Sequence, residues 1–200
     1  PTRWVADVAL RIAPHVHAVQ RSRQLCAMAL GYAMPAHLHY GLRARAGHAI
    51  GVEPEVVLVH GSSRDDKGWP DSHWGELGAR LIALGLPLGL PHGSDAGRER
   101  SVRLARALGQ RAQAWPRLDL GALADRFAAS VGVIGVDSGL SHIAVALDRP
   151  HVQIYNFETS WRTGPLPSAG TAHPRQVSVY GQPTPTVDQV WRGWLQVSAR

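Results

Sequence analysis

Gly135-Val136-Asp137-Ser138-Gly139-Leu140-Ser141-His142 joins the most strand-like run in the chain to a helical one through a short polar corner. Val131 to Val136 is rich in β-branched residues interleaved with glycine, while Leu140, Ile143, Ala144 and Leu147 recur at helical spacing. The stretch therefore reads as a strand-to-helix turn. In a parallel α/β sheet such turns lie at the carboxyl edge, where the first free N–H groups of the following helix form an anion site. Ser138, Gly139 and Leu140 are placed to supply those groups. Gly139 has no Cβ to hold a phosphate off the backbone, and Ser138 adds a hydroxyl donor. The alternative is that Asp137 or Ser138 only caps the helix.

The alternation extends outward in both directions. Glu55 to His60 reads as a buried strand, followed by a polar loop from Gly61 to Pro70 and a helix that Asp71 caps, running to about Leu84. Pro87 to Pro91 is a second strand, leading through His92, Gly93 and Ser94 into a helix that ends near Leu108. Ala112 to Trp115 is a short strand, Leu120 to Ala129 a helix and Val152 to Tyr155 a strand. After a Gly/Pro-rich loop from Asn156 to Pro174, Gln176 to Tyr180 is a late strand and Thr186 to Val197 a terminal helix. This order is the mark of an α/β, Rossmann-like, doubly wound parallel sheet. Residues 1–34 are helical in tendency, with a broken apolar face of Val16, Val19, Leu25, Met28 and Ala29 ended by Gly31. Residues 35–54 are rich in Pro, His, Gly and Arg and read as a linker.

Two hundred residues, 44% of them apolar, can bury one large core. No apolar run approaches the roughly 18 residues of a membrane span. The chain opens Pro1-Thr2-Arg3 without an initiator Met or a charged-then-apolar leader, and is expected to be a fragment or a processed chain, not a secreted precursor. Cys26 is alone, which excludes an intrachain disulfide and a Cys-based zinc site and fits a reducing compartment. The net charge of +6 is uneven: residues 1–46 hold six arginines against Asp7, a net +5, which leaves +1 for the rest. The basic segment is thus placed to meet an anionic partner, a phosphorylated lipid among the options, and no nucleic-acid-binding signature accompanies it.

Ser62, Ser63 and Lys67 occupy a second strand-to-helix corner on the same sheet edge as Ser138. Two such corners, one with an amine and hydroxyls, make a clamp for a diphosphate, although a lone lysine is most often a solvated one. Asp65 and Asp66 are adjacent, so their side chains diverge, and loop capping explains them better than a metal. His15 with His17, and His37 with His39, lack a third ligand and read as exposed histidines. Trp69 and Trp74 read as core, and His142 as a hydrogen-bonded packing residue behind Ser138 and not a general base. The chain has no Gly-x-Gly-x-x-Gly, Walker A, His-Glu-x-x-His or Gly-x-Ser-x-Gly element, which disfavours nicotinamide dehydrogenases, P-loop NTPases, zinc proteases and elbow hydrolases.

Ser62 to Trp74, Leu90-Pro91-His92-Gly93, and Val136 to His142 followed by Ala146-Leu147-Asp148-Arg149-Pro150 together resemble the lipopolysaccharide heptosyltransferase I family, in glycosyltransferase family 9. The likeness runs from about Ala18 to the carboxyl end. It implies the GT-B arrangement of two Rossmann-like domains and an inverting transfer of L-glycero-D-manno-heptose from ADP-heptose to Kdo of Kdo-lipid A. By motif position, Ser62, Ser63 and Lys67 hold donor phosphates and ribose, Asp137, Ser138, Gly139 and Leu140 meet the pyrophosphate and sugar, and Leu118 lines the adenine pocket. Lys67, which stabilises the leaving group, and Asp137 are the catalytic members, and His142 joins the donor-binding set. The family's ribose-binding Glu falls at Gly97, for which Glu99 or Asp95 would have to substitute.

The resemblance also implies residues 1–45 as the tail of an acceptor domain with its linker, and residues 46–200 as the donor domain. The acceptor site and an Asp base would then lie in an amino-terminal domain outside these residues. Further implications are a cytoplasmic enzyme peripheral to the bacterial inner membrane, no tightly bound cofactor or metal, and no nucleic-acid partner. The rival readings are a related ADP-heptose transferase with another core acceptor, as in heptosyltransferase II, a non-catalytic ADP-sugar-binding module and, last, a basic nucleic-acid binder.

Overall fold

The computed structural model describes residues 7–45, 53–166 and 175–199. In chain order its elements are α1 (Ala18–Leu30), β1 (Val56–Val59), a 3-10 turn (Asp65–Lys67), α2 (Asp71–Ala83), β2 (Leu88–Leu90), α3 (Asp95–Leu108) and β3 (Ala112–Ala114). There follow α4 (Leu120–Ala129), β4 (Gly132–Val136), α5 (Gly139–Ala146), β5 (His151–Tyr155), α6 (Ser160–Thr163), β6 (Gln176–Tyr180) and α7 (Val187–Ser198). The six strands form one sheet in the order β3-β2-β1-β4-β5-β6, and every pairing is parallel.

Alternation along the central strands sets the two layers. Val56 and Leu58 point to the face covered by Trp74, Leu77 and Leu81 of α2, Leu104 of α3 and Val190 and Trp194 of α7. Val57 and Val59 point to the other face, against Leu123 and Phe127 of α4 and Ala144 of α5. Helices on both faces explain why β1 and β4 are apolar at every position and wholly buried. The chain winds outward from β1 to β3, then returns to β4 and winds the other way. The carboxyl ends of β1 and β4 therefore diverge side by side, where an open α/β sheet forms its ligand crevice.

Close packing at that switch point depends on Gly135, which pairs with Val59 in the parallel register. A Cβ at 135 would stand 2.6 Å from Ser141 Oγ and 2.7 Å from Val59 Cβ, so only glycine lets α5 lie this close. Ser141 Oγ in turn donates to the Val136 carbonyl at 2.6 Å, tying the first turn of α5 to the strand that feeds it.

The expected elements are present, with differences of physical origin. The helix expected over 1–34 begins only at Ala18, where His17 Nδ1 accepts the Val19 N–H at 3.2 Å, and residues 7–17 are not helical. Gly31 ends it with a left-handed φ of 69°. Asp71 does not cap α2: Pro70 stands at the cap, and the Asp71 carboxylate binds Arg100 at 2.7 Å. A short helix, α6, interrupts what reads as an unbroken loop, whose residues 167–174 lie outside the described ones. The segment read as a linker is held where it is described, for Arg23 donates to the carbonyls of Pro35 at 2.6 Å and His37 at 2.9 Å, and Arg45 pairs with Asp125 at 2.6 Å. Residues 46–52 of that segment, and with them the expected domain boundary, lie outside the described residues, as does Arg3.

His60, just after β1, and His151, the first residue of β5, are wholly buried. Burial, as the largest cause, pushes both imidazoles down to about 4 from the usual 6.5. Both are therefore neutral in the native state where the unfolded chain's histidines already bind protons. Between pH 6.5 and 4 the unfolded state holds more protons, so these residues favour folding above pH 6.5 and lose that contribution as pH falls toward 4. Denaturant titrations across that window should show stability falling with a slope that approaches two protons. A flat profile would mean that the two rings are protonated or water-accessible in the native protein.

Candidate functional site

A cavity of about 1580 Å³ opens at the carboxyl edge of β1, β2 and β3, walled on the β4 side by the first turn of α5. Ser62 and Ser63 border it from the loop after β1, Gly93 and Gly97 from the start of α3, Leu118 from the loop after β3, and Ser138, Gly139 and Leu140 from the corner after β4. The two serine corners touch, with Ser62 Oγ donating to the Asp137 carbonyl at 3.4 Å.

The capping alternative is not what the corner does. Ser138 stands at the N-cap of α5, but its side chain accepts from no first-turn N–H. Ser138 Oγ is a buried atom without a hydrogen-bond partner, and the space where a Gly139 side chain would stand is empty for 4 Å. The amino end of α5 thus presents free donors, the positive end of a helix dipole and an unused hydroxyl to one cavity.

Lys67, Asp137 and His142 do not wall the cavity; they form a polar cluster beside the point where the two corners meet. Lys67 is not a solvated surface lysine: its Nζ donates to Asp137 Oδ2 at 2.7 Å, and its side chain is 27% exposed against 8% for Asp137. Gln153, wholly buried on β5, donates to the other carboxylate oxygen at 3.3 Å. His142 is not packed behind Ser138 as expected. It is half-exposed on the outer side of α5, with Nε2 at 3.8 Å from Asp137 Oδ1. Burial lowers its basicity, Asp137 partly restores it, and His17 and Lys67 depress it further.

The loop that carries Ser62, Ser63 and Lys67 is held from three sides. Arg100 of α3 donates to the carbonyls of His60 at 2.8 Å and Trp69 at 2.6 Å, which closes the base of the loop. Trp69 is buried edge-on to Trp74 at 4.9 Å, as its reading as core requires, and its Nε1 donates to the Pro185 carbonyl at 2.8 Å. Asn156 grips the Lys67 turn. Sequence reasoning missed Arg100 and Asn156, because each acts through backbone carbonyls that no side-chain pattern reveals. It also missed Arg117 and Asp119, which border the cavity beside Leu118.

Neither Glu99 nor Asp95 borders the cavity that Gly97 lines. Residues two apart on a helix point about 200° apart. With Gly97 turned to the cavity, Glu99 turns away and borders a shallow hollow with Arg98, Val102 and Arg103, while Asp95 stays exposed outside the cavity wall. Asp66 pairs with Arg64, and His17 caps α1 while meeting the Gly164 carbonyl at 2.9 Å. Among the described residues no group of three or more His, Cys, Asp or Glu side chains is placed to hold a metal ion.

Comparison with known proteins gives this geometry a family. The chain is 41% identical over 150 residues to lipopolysaccharide heptosyltransferase 1 of Pseudomonas aeruginosa, covering 74% of this chain but 42% of that protein. It is 36% identical over 105 residues to lipopolysaccharide heptosyltransferase 2 of Salmonella typhimurium, covering 50% of this chain and 30% of that one. The chain thus spans less than half the length of these relatives. Among solved structures, Escherichia coli heptosyltransferase WaaC with ADP superposes with a TM-score of 0.77 at 30% identity, over 96% of this chain and 60% of that one. The family model for glycosyltransferase family 9 (heptosyltransferase) matches residues 2–188. With its parallel sheet, its open helix terminus and that match, the chain belongs to glycosyltransferase family 9, the heptosyltransferases.

Proposed function

We propose that this chain is the donor-binding half of an inverting heptosyltransferase of the GT-B arrangement, taking heptose from ADP-heptose to Kdo of Kdo-lipid A. The observation that carries the reading is the meeting of the Ser62 and Ser138 corners at a helix terminus that nothing else caps. A diphosphate there receives backbone N–H groups from α5 and hydroxyls from Ser63 and Ser138, and that of Ser62 once it turns from the Asp137 carbonyl. The adenine lies toward Leu118, across the cavity. Lys67 can join without leaving Asp137, because an ammonium has three donors and the carboxylate takes one.

In the transfer, a Kdo hydroxyl oxygen bonds to the anomeric carbon as that carbon's bond to the β-phosphate oxygen breaks. The hydroxyl proton goes to a base in the acceptor domain, which we place outside these 200 residues. The electron pair leaves with ADP, whose added charge is met by the α5 donors and Lys67. Asp137 holds the ammonium in position. The reaction would run at the cytoplasmic face of the inner membrane with the protein peripheral to it; among the described residues no helix is long and apolar enough to cross a membrane. Similarity to heptosyltransferase 2 over half the chain supports a second reading with a heptose acceptor, and an acceptor panel on the two-domain enzyme separates the two.

Lys67→Ala should weaken ADP binding by roughly 1.5 to 3 kcal/mol, the range for a hydrogen bond to a charged group. It should also lower the melting temperature, because it strips the cation from a carboxylate that is 8% exposed. Adding Asp137→Asn should restore the melt but not the affinity, and a calorimetric Kd that Lys67→Ala leaves unchanged would remove Lys67 from the site.

Gly139→Val should hurt ADP binding more than Ser138→Ala and melt like the parent, since the new side chain enters open space that a phosphate would need. Equal affinities for the two variants and the parent would reduce this corner to ordinary helix packing.

Supplied with ADP-heptose and Kdo-lipid A, the 200-residue chain should bind ADP yet transfer no sugar. Holding both reactants together is worth on the order of 7 to 11 kcal/mol of barrier, which one half does not recover. Product formation matching that of the two-domain enzyme would place the base within this chain.

A further inference from the structure

Lys67 ends a 3-10 turn of three residues, a length that does not hold itself in place. The turn's internal bonds, Lys67 N–H to the Arg64 carbonyl at 3.2 Å and Gly68 N–H to the Asp65 carbonyl at 2.9 Å, leave the carbonyls of Asp66 and Gly68 to be met from elsewhere. Both are met by one side chain. Asn156 Nδ2, at the carboxyl end of β5, donates to the Asp66 carbonyl at 2.9 Å and to the Gly68 carbonyl at 2.8 Å, so it brackets Lys67 on both sides. Carbonyl oxygens only accept, which fixes which end of the Asn156 amide faces the turn. The other end, Oδ1, accepts from Thr184 Oγ1 at 2.7 Å. The carbonyls orient the amide, and Thr184 anchors its free end.

From this geometry we propose that Asn156, anchored by Thr184, is a positioning residue for Lys67: it fixes the backbone from which the ammonium reaches the Ser62–Ser138 corner. The role differs from that of Arg100, which fastens the two ends of the whole loop at His60 and Trp69. It also differs from that of Asp137, which holds the far end of the same lysine. Lys67 is thus held at both ends by the carboxyl edges of adjacent strands, its ammonium by the residue after β4 and its backbone by the residue after β5. No side-chain pattern in the sequence reports this, because Asn156 acts on backbone carbonyls and does not itself line the cavity. The inference rests on the reading of Lys67 as a phosphate-binding side chain.

The test is a double-mutant cycle on ADP affinity in the 200-residue chain, read by calorimetry with thermal melts beside it. Asn156→Ala should weaken ADP binding roughly tenfold, as expected for the loss of two neutral hydrogen bonds. In a Lys67→Ala background the same change should cost nothing further, because there is no ammonium left to position. Thr184→Val, which keeps the amide but removes its anchor, should give a smaller loss of about threefold that vanishes both in Asn156→Ala and in Lys67→Ala. A purely structural contribution to the loop would instead persist in the Lys67→Ala background, since Ser62 and Ser63 would still be displaced, and that persistence overturns the proposal. So does an Asn156→Ala protein that binds ADP like the parent. If Asn156→Ala does not fold, Thr184→Val decides by the same criterion. If Lys67→Ala itself binds ADP like the parent, the donor-site reading fails, and the positioning role falls with it. If Lys67→Ala weakens binding while the cycle is additive, only the positioning role falls.

Discussion

The carboxyl edge of this domain depends on how closely β1 and β4 can run beside each other under α5. Val59 and Gly135 face each other across a parallel pairing, and Ser141 of α5 drops onto the glycine. That contact fixes where α5 begins. Its first N–H groups then emerge level with the loop after β1, and the two corners meet although they are 75 residues apart in the chain. A larger residue at 135 would lift the helix and open the one place where backbone donors from one corner and hydroxyls from the other converge.

Formal charge contributes little to this convergence. The cavity is bordered by Arg64, Arg100 and Arg117 but equally by Asp65, Asp71 and Asp119, so the net +6 of the sequence is not gathered there. His60, which borders the cavity, is held neutral by burial. In the proposed donor site, attraction for an anion comes from the oriented peptide groups of α5 and from Lys67 beside them. Such a field is short-ranged and directional, which suits selection of a diphosphate over anions in general.

The layers of the fold were legible because the strands and helices differ in period and composition: Val131 to Val136 is β-branched, and the run from Leu140 is helical, so the corner between them stands out. The open space at Gly139 followed from the same reading. What was not legible lies in long-range pairing. Asp71 looks like a cap in sequence, yet Arg100, 29 residues away, claims its carboxylate. Lys67 alone looks solvated, and only the fold brings Asp137 to it across 70 residues. The four residues of α6 are too few to show a period. Glu99 is near Gly97 in the chain but opposite on the helix, a distinction that distance along the sequence does not make.

The carbonyl of Pro185 fixes Trp69 across 116 residues, and Thr184 anchors the amide that grips the Lys67 turn. A chain emerging from the ribosome exposes the loop at 61–70 early, and β1 can pair with β2 long before these late contacts exist. The loop therefore reaches its final form only once residue 185 has been made and the carboxyl-terminal helix has docked with Trp194 against the sheet. A nascent chain that stalls before Thr184 therefore has most of its sheet but no fixed seat for the lysine of the proposed donor site.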